Sequence, residues 1–123
     1  MLNDASGFSE VYIACRYTDM RLGIDGLAAI VKNTFHLNPF HEGVLFLFCG
    51  RRTDRIKGLL FEGDGFLLLY KRLENARFQW PRNEAEMKQL TPQQFKWLME
   101  GLAIELKKAI RKISPVSICY SYS

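Results

Sequence analysis

The sequence predicts an α+β fold, with a mostly antiparallel sheet built on a β-meander over residues about 44–80, an N-terminal strand and two main helices over about 20–35 and 92–101. Two observations predict it. Short apolar runs of strand length follow one another with only turn residues between them, and short turns imply antiparallel pairing. Two other segments repeat their apolar residues at helical spacing.

The length of 123 residues suits one domain, which we place at residues 11–113, after a lead-in at 1–10 and before a loose tail at 114–123. No apolar run reaches the roughly 20 residues of a membrane helix. The N-terminal residues lack the charge and hydropathy pattern of a signal peptide. The three cysteines have neither zinc nor redox spacing. We therefore expect a reduced, cytoplasmic protein that does not associate with a membrane.

The first strand is predicted at residues 11–16, which are rich in β-branched and aromatic side chains. The first helix follows, with Thr18 or Asp19 as its cap. Its apolar face consists of Ile24, Leu27, Ala28, Val31 and Phe35.

Two glycines, Gly23 and Gly26, lie in the first turns of this helix although glycine disfavours helix interiors. They indicate either the close approach of another backbone or an open helix N-terminus for an anion. We favour the first interpretation, because Asp19 and Asp25 would repel an anion.

A loop at residues 38–43 precedes a continuous apolar run at 44–49, which is typical of a strand covered on both faces. His36, His41 and Glu42 lie near this loop. They lack a further ligand at a recognisable spacing, so we expect no metal site.

The centre of the chain predicts a hairpin. Residues 56–61 and 66–70 are strand-like, and Gly63-Asp64-Gly65 between them accepts the positive φ angles of tight turns. Residues 71–74 continue the second strand. Residues 77–80 predict a further short strand with Phe78 and Trp80 on one face, which Pro81 ends.

A short strand is predicted near residues 87–90, followed by a helix that begins with a Thr91 cap, Pro92 and Gln94. Gly101 either ends this helix or lies within it as a weak point. Residues 104–113 are compatible with another, basic helix.

Recognisable catalytic or cofactor motifs are absent from the sequence. It has no nucleotide-binding glycine loop and no serine or cysteine in a known nucleophile setting. Spacing does not show the carboxylates converging on a metal ion. We therefore predict a protein that is not an enzyme and has no cofactor. The carboxylates considered are Asp19, Asp25, Asp54, Asp64 and Glu74.

Positive charge is concentrated in the second part of the chain: residues 1–50 carry three Arg/Lys and five Asp/Glu, whereas 51–123 carry fourteen and eight. This asymmetry favours a nucleic acid or an acidic protein as partner. Pairing of Arg52 or Arg55 with Asp54 or Glu74 is the competing interpretation. The candidate phosphate-binding residues flank the meander: Arg51, Arg52, Arg55, Lys57, Lys71, Arg72 and Arg77.

Several spaced motifs resemble one known family. They are the segments 18–27, 45–48, 50–57, 62–65, 71–74, 78–81 and 90–91. The sequence resembles the TnpB-type accessory protein, encoded by the second open reading frame, of IS66-type bacterial insertion sequences. The likeness runs from about Val11 to Leu102. It marks further motif residues without assigning them a role: Asp19, Arg21, Gly23, Asp25, Gly26, Glu74 and Trp80.

The resemblance implies a role in transposition beside a separate, larger transposase that carries the cutting and joining chemistry. The leading hypothesis is an accessory factor that binds element DNA through the seven candidate cations. The alternative is a module that docks on the transposase or on the element's other accessory protein. A third hypothesis is a metal-dependent nuclease that uses Asp19, Asp25, Asp54 or Asp64.

Overall fold

The computed structural model of the protein describes residues 7–82 and 86–104. Five of its strands form one mixed sheet in the order β4-β3-β2-β1-β5. The strands are β1 (Glu10–Ala14), β2 (Val44–Phe48), β3 (Arg55–Phe61), β4 (Phe66–Arg72) and β5 (Met87–Leu90). β1 and β2 pair in parallel, and the other three neighbouring pairs are antiparallel. The predicted α+β class and mostly antiparallel sheet are confirmed.

Two helices cover the sheet. Helix α1 (Ile24–Ala29) continues into a π-helical turn (Ile30–Thr34), and together they connect β1 to β2. Helix α2 (Pro92–Met99) follows β5. The connection through α1 is the kind that the parallel pair of β1 and β2 requires, because a tight turn can join only antiparallel strands.

β2 lies at the centre of the sheet, and all five of its residues are buried. Phe46 and Phe48 pack in one core with Leu27 and Val31 of the α1 layer. On the other face, Leu45 and Leu47 pack in a second core with α2, and with Phe78 and Trp80. The prediction of a strand covered on both faces is confirmed.

The β3–β4 hairpin also forms as predicted. Its register runs from Arg55 opposite Arg72 to Phe61 opposite Phe66. The turn at residues 62–65 is closed by a 2.9 Å bond from the Glu62 N–H to the Gly65 carbonyl. The positive φ, +95°, falls on Gly63 and not on the Asp64-Gly65 pair.

The strand predicted at residues 77–80 is wrong. The Phe78 N–H donates to the Thr53 carbonyl at 2.7 Å, and the Trp80 indole Nε1–H donates to the Ala14 carbonyl at 2.9 Å. Isolated bonds to two different segments fix this stretch without a ladder. The meander therefore ends with β4. The predicted alternation of side chains in this stretch is confirmed, because Phe78 and Trp80 are buried and Gln79 is exposed.

The predicted start of the first helix is also wrong. Gly23 is the N-cap and no side chain caps it. Asp19 instead accepts the Arg21 N–H at 3.0 Å, so it stabilises a turn before the helix. The close-backbone interpretation of the glycines fails too. A Cβ on Gly26 would lie 2.8 Å from the Leu22 side chain, and one on Gly23 would have nothing within 4 Å.

At the C-terminal side, the strand at residues 87–90 and the capping box of α2 are confirmed. Thr91 Oγ1 accepts the Gln94 N–H at 3.1 Å, and Gln94 Oε1 accepts the Thr91 N–H at 3.0 Å. Gly101, with φ +84°, follows the helix and ends it. The helix predicted at 104–113 lies beyond Ile104 outside the described residues, and the domain limits stay a prediction.

No helix in the described part of the chain is both long enough and apolar enough to cross a bilayer.

Candidate nucleic-acid interface

The topology brings separate basic segments to one end of the sheet. Since β1 and β2 are parallel and the other neighbours antiparallel, the carboxyl ends of β1, β2 and β4 lie beside the amino ends of β3 and β5. We call this the basic end, made of residues 16–21, 49–57, 71–82 and 86. All seven predicted cations are there. Its full complement is Arg16, Arg21, Arg51, Arg52, Arg55, Lys57, Lys71, Arg72, Arg77 and Arg82, against Asp19, Asp54, Glu74 and Glu86.

The opposite end of the sheet has the opposite charge. We call it the acidic end, made of residues 7–10, 41–43 and 62–65. It carries Glu10, Glu42, Glu62 and Asp64, and its segments contain no lysine or arginine. The sheet is therefore electrically polarised along its strands, and an approaching polyanion is attracted to one end and repelled by the other.

Asp54 pairs with two of the predicted cations. Its Oδ1 accepts from Arg55 Nε at 2.9 Å, and its Oδ2 accepts from Arg52 Nη2 at 3.3 Å. The bond from Arg55, together with charge attraction, lowers the pKa of Asp54 to about 2. The competing interpretation of intramolecular pairing is thus confirmed for Asp54. The Arg52 side chain nevertheless remains 73% exposed, and exposed pairs of this kind contribute little free energy.

Two further carboxylates have arginine partners at this end. Arg72 Nε donates to Glu74 at 2.9 Å, so Glu74 pairs with Arg72 and not with Arg52 or Arg55. Arg21 Nη2 donates to Asp19 at 2.9 Å, and the hydrogen bonds from Arg21 lower the pKa of Asp19 to about 2. Lys57 binds the backbone instead of a carboxylate, because its Nζ donates to the Leu22 carbonyl at 2.9 Å.

An exposed tyrosine is in contact with two guanidinium groups at the basic end. The Cζ atoms of Arg51 and Arg82 lie 4.4 and 4.1 Å from the centroid of the Tyr17 ring, which is a cation–π distance. Tyr17 is 56% exposed. Arg82 also donates to the carbonyls of Cys15, Cys49 and Gly50, so it joins the carboxyl ends of the two parallel strands.

Sequence reasoning missed Arg16, Tyr17 and Arg82 as neighbours of the predicted cations. The available signal was the strand–helix–strand order of residues 10–48, which is typical of a parallel pair. Parallel pairing places the residues after β1 beside the residues after β2. Arg82 carried no such signal, because its position depends on the path of the irregular segment before β5.

The carboxylates of the nuclease hypothesis do not come together. Asp64 lies in the hairpin turn at the acidic end, whereas Asp19 and Asp54 lie at the basic end and bind arginines. Asp25 is exposed in the first turn of α1. Among residues 7–82 and 86–104, no group of three or more histidine, cysteine or acidic side chains is placed to hold a metal ion.

The fold and this end of the sheet define a small α+β protein with a cationic surface where parallel strands end. A family model described as "IS66 Orf2 like protein" matches residues 9–109. The chain belongs to this family, which consists of accessory proteins of insertion sequences and is not a known enzyme family. The resemblance seen in the sequence is confirmed.

Two relatives from Sinorhizobium fredii (strain NBRC 101917 / NGR234) are similar to the chain. Uncharacterized protein y4hO is 39% identical over 93 residues, which cover 76% of this chain and 80% of the relative. Uncharacterized protein y4jC is 30% identical over 93 residues, covering 76% and 79%. No solved structure matches the chain.

Proposed function

We propose that the chain supports transposition by binding the DNA of its insertion sequence through the basic end, without catalysis. The observation that carries the proposal is the convergence of ten arginines and lysines, from three separated segments, on the end of the sheet where β1 and β2 finish. Neutralising backbone phosphates is the main source of sequence-independent affinity for DNA.

The individual cations have different parts in this proposal. Arg51 and Arg52 project from the β2–β3 connection and are exposed, so they are the first candidates for phosphate contacts. Lys71 and Arg77 pair with no carboxylate in the described part of the chain. Lys57 and Arg82 are bound to carbonyl groups, and we assign them to shaping the surface.

The test is fluorescence anisotropy with labelled duplexes that carry either the terminal repeats of the element or a scrambled sequence, between about 50 and 200 mM salt. The wild type should lose affinity as salt rises. Arg51→Ala/Arg52→Ala should weaken binding and lower the slope of log K against log salt by about 2, since each lost phosphate contact removes about 0.9.

A matched control removes the same charge elsewhere. Lys32→Ala/Lys96→Ala takes two exposed lysines from the helical layers and should leave the slope unchanged. Equal losses in the two double variants would refute a localised interface. Absence of binding to either duplex at low salt would refute DNA binding and favour docking on the transposase. Cleavage of the duplex on addition of Mg²⁺ would refute the non-catalytic part of the proposal.

A further inference from the structure

The two edges of the sheet are very different. β5 forms one edge with only four residues, and Lys88 and Gln89 occupy its middle. β4 forms the other edge with seven residues, and its first five are Phe66, Leu67, Leu68, Leu69 and Tyr70. Short, charged edges resist pairing with another chain, whereas long apolar edges invite it.

β4 carries charge only at its end, in Lys71 and Arg72, and its other five residues lack the usual protective features. Its register with β3 runs without a bulge from Phe66 to Arg72, and it contains no proline. Leu67 and Tyr70 are 38% and 53% exposed. No strand within residues 7–82 and 86–104 pairs with its outer side.

The ladder shows which backbone groups point outward. The Leu73 N–H donates inward to the Asp54 carbonyl, and Glu62 and Gly65 bond to each other across the turn. Donors and acceptors alternate in an antiparallel pair, so odd-numbered β4 residues bond to β3. The outward groups therefore belong to Phe66, Leu68, Tyr70 and Arg72.

We infer that this edge binds the β4 edge of a second copy of the chain, antiparallel and about a two-fold axis at Leu69. In this register Phe66 pairs with Arg72 and Leu68 with Tyr70, so every outward residue of β4 has a partner. Leu67 of each copy lies opposite Lys71 of the other copy, so the two Lys71 side chains do not face each other. The two five-stranded sheets become one continuous sheet, with the same patch used on both subunits.

Charge complementarity selects a second copy in this orientation. The sheet is basic at one end and acidic at the other, so antiparallel pairing sets the basic end of each copy beside the acidic end of its partner. Parallel pairing would set basic against basic, which like-charge repulsion opposes.

Sedimentation of the full chain, from micromolar to millimolar concentration, tests the inference. We expect twice the 14.3 kDa chain mass for the wild type, and the single-chain mass for Leu67→Lys and for Leu68→Pro. Leu68→Pro removes an outward N–H and no bond to β3. Leu102→Lys is the matched control, because Leu102 has the same 38% exposure as Leu67, and it should remain dimeric.

A wild type that stays monomeric throughout would overturn the inference, and protection of the Leu68 and Tyr70 amides from hydrogen exchange in that monomer would assign the edge to another segment of the same chain. A dimer that persists in both edge variants would also overturn it. Neither result bears on DNA binding, which the anisotropy experiment measures separately.

Disulfide trapping tests the register. In a Cys119→Ser background, Leu69→Cys should cross-link two chains on oxidation, because directly opposed residues bring their Cβ atoms within about 5.5 Å. Leu67→Cys should not, since its two copies are offset by four residues, or about 13 Å. Equal cross-linking at both positions, or none at Leu69→Cys, would refute the two-fold register.

Discussion

Replacing Trp80 by phenylalanine tests how the segment before β5 is held on the sheet. Trp80 is 7% exposed, and its indole N–H donates to the carbonyl of Ala14, the last residue of β1. Phenylalanine keeps most of the apolar contact area but removes the donor. The buried Ala14 carbonyl then loses this partner without gaining water.

A buried polar group deprived of its partner costs about 1–3 kcal/mol. The smaller ring adds a packing loss of the same sign, so we expect Trp80→Phe to lower the free energy of unfolding by roughly 2 kcal/mol or more. With a urea m value of about 1–3 kcal/mol/M, the unfolding midpoint should fall by roughly 1 M. Urea titration followed by far-ultraviolet circular dichroism measures this directly.

Gln79→Ala is the control, because Gln79 is exposed in the same segment and should change the stability by less than about 0.5 kcal/mol. A Trp80→Phe protein as stable as the wild type would refute the anchoring contribution of the indole bond. Loss of stability in Gln79→Ala to the same extent would show that the segment is sensitive to any substitution.

Three further predictions follow from local geometry. Thr91→Ala removes the capping box of α2 and should lower the free energy of unfolding by about 1 kcal/mol in urea titration, whereas exposed Gln93→Ala in the same turn should have a smaller effect. Asp54 has its pKa lowered to about 2 in the folded state, against about 3.9 when unfolded, so its ionised form stabilises the fold fully above pH ~4 and this contribution is lost towards pH ~2. The thermal unfolding temperature of Asp54→Asn should therefore fall less steeply than that of the wild type as the pH is lowered over that range. Asp64→Asn is the control, and an equally steep fall in both variants would contradict the prediction. Burial raises the pKa of the Cys49 thiol to about 11, so peptide mass spectrometry should find it unmodified by iodoacetamide at pH 8 until denaturant is added, and rapid native labelling would contradict its burial.

Local pattern alone predicted much of the fold. The unbroken apolar run at β2, the alternation and turn residues of the β3–β4 hairpin, and the Thr91 capping box are each specified by residues close together in the chain. The family was also recognisable, because its motifs lie in short stretches at fixed order. The seven candidate cations were identified by the same means, as charges that flank the hairpin.

Errors arose where a side chain finds a different partner from the one that its local pattern predicts. Residues 77–80 alternate like a strand, yet Trp80 bonds to Ala14, which is sixty-six positions away, and no neighbouring strand is available for a ladder. Asp19 resembles a helix cap, but Arg21 takes both of its oxygens. Local propensity cannot indicate which of two partners will be nearer in the folded chain.

The sequence by itself therefore determined most of the element types, the position of the hairpin and the family, because period, turn chemistry and motif order are local properties. Only the tertiary structure decided that β1 lies parallel to β2, that Arg16 and Tyr17 join Arg51 at the basic end, and that β4 is an open edge. The reason is that backbone hydrogen bonds between strands are nearly the same for any pairing. Strand order is selected by the packing of both faces of the sheet at once, with α1 on one side and α2 with Trp80 on the other.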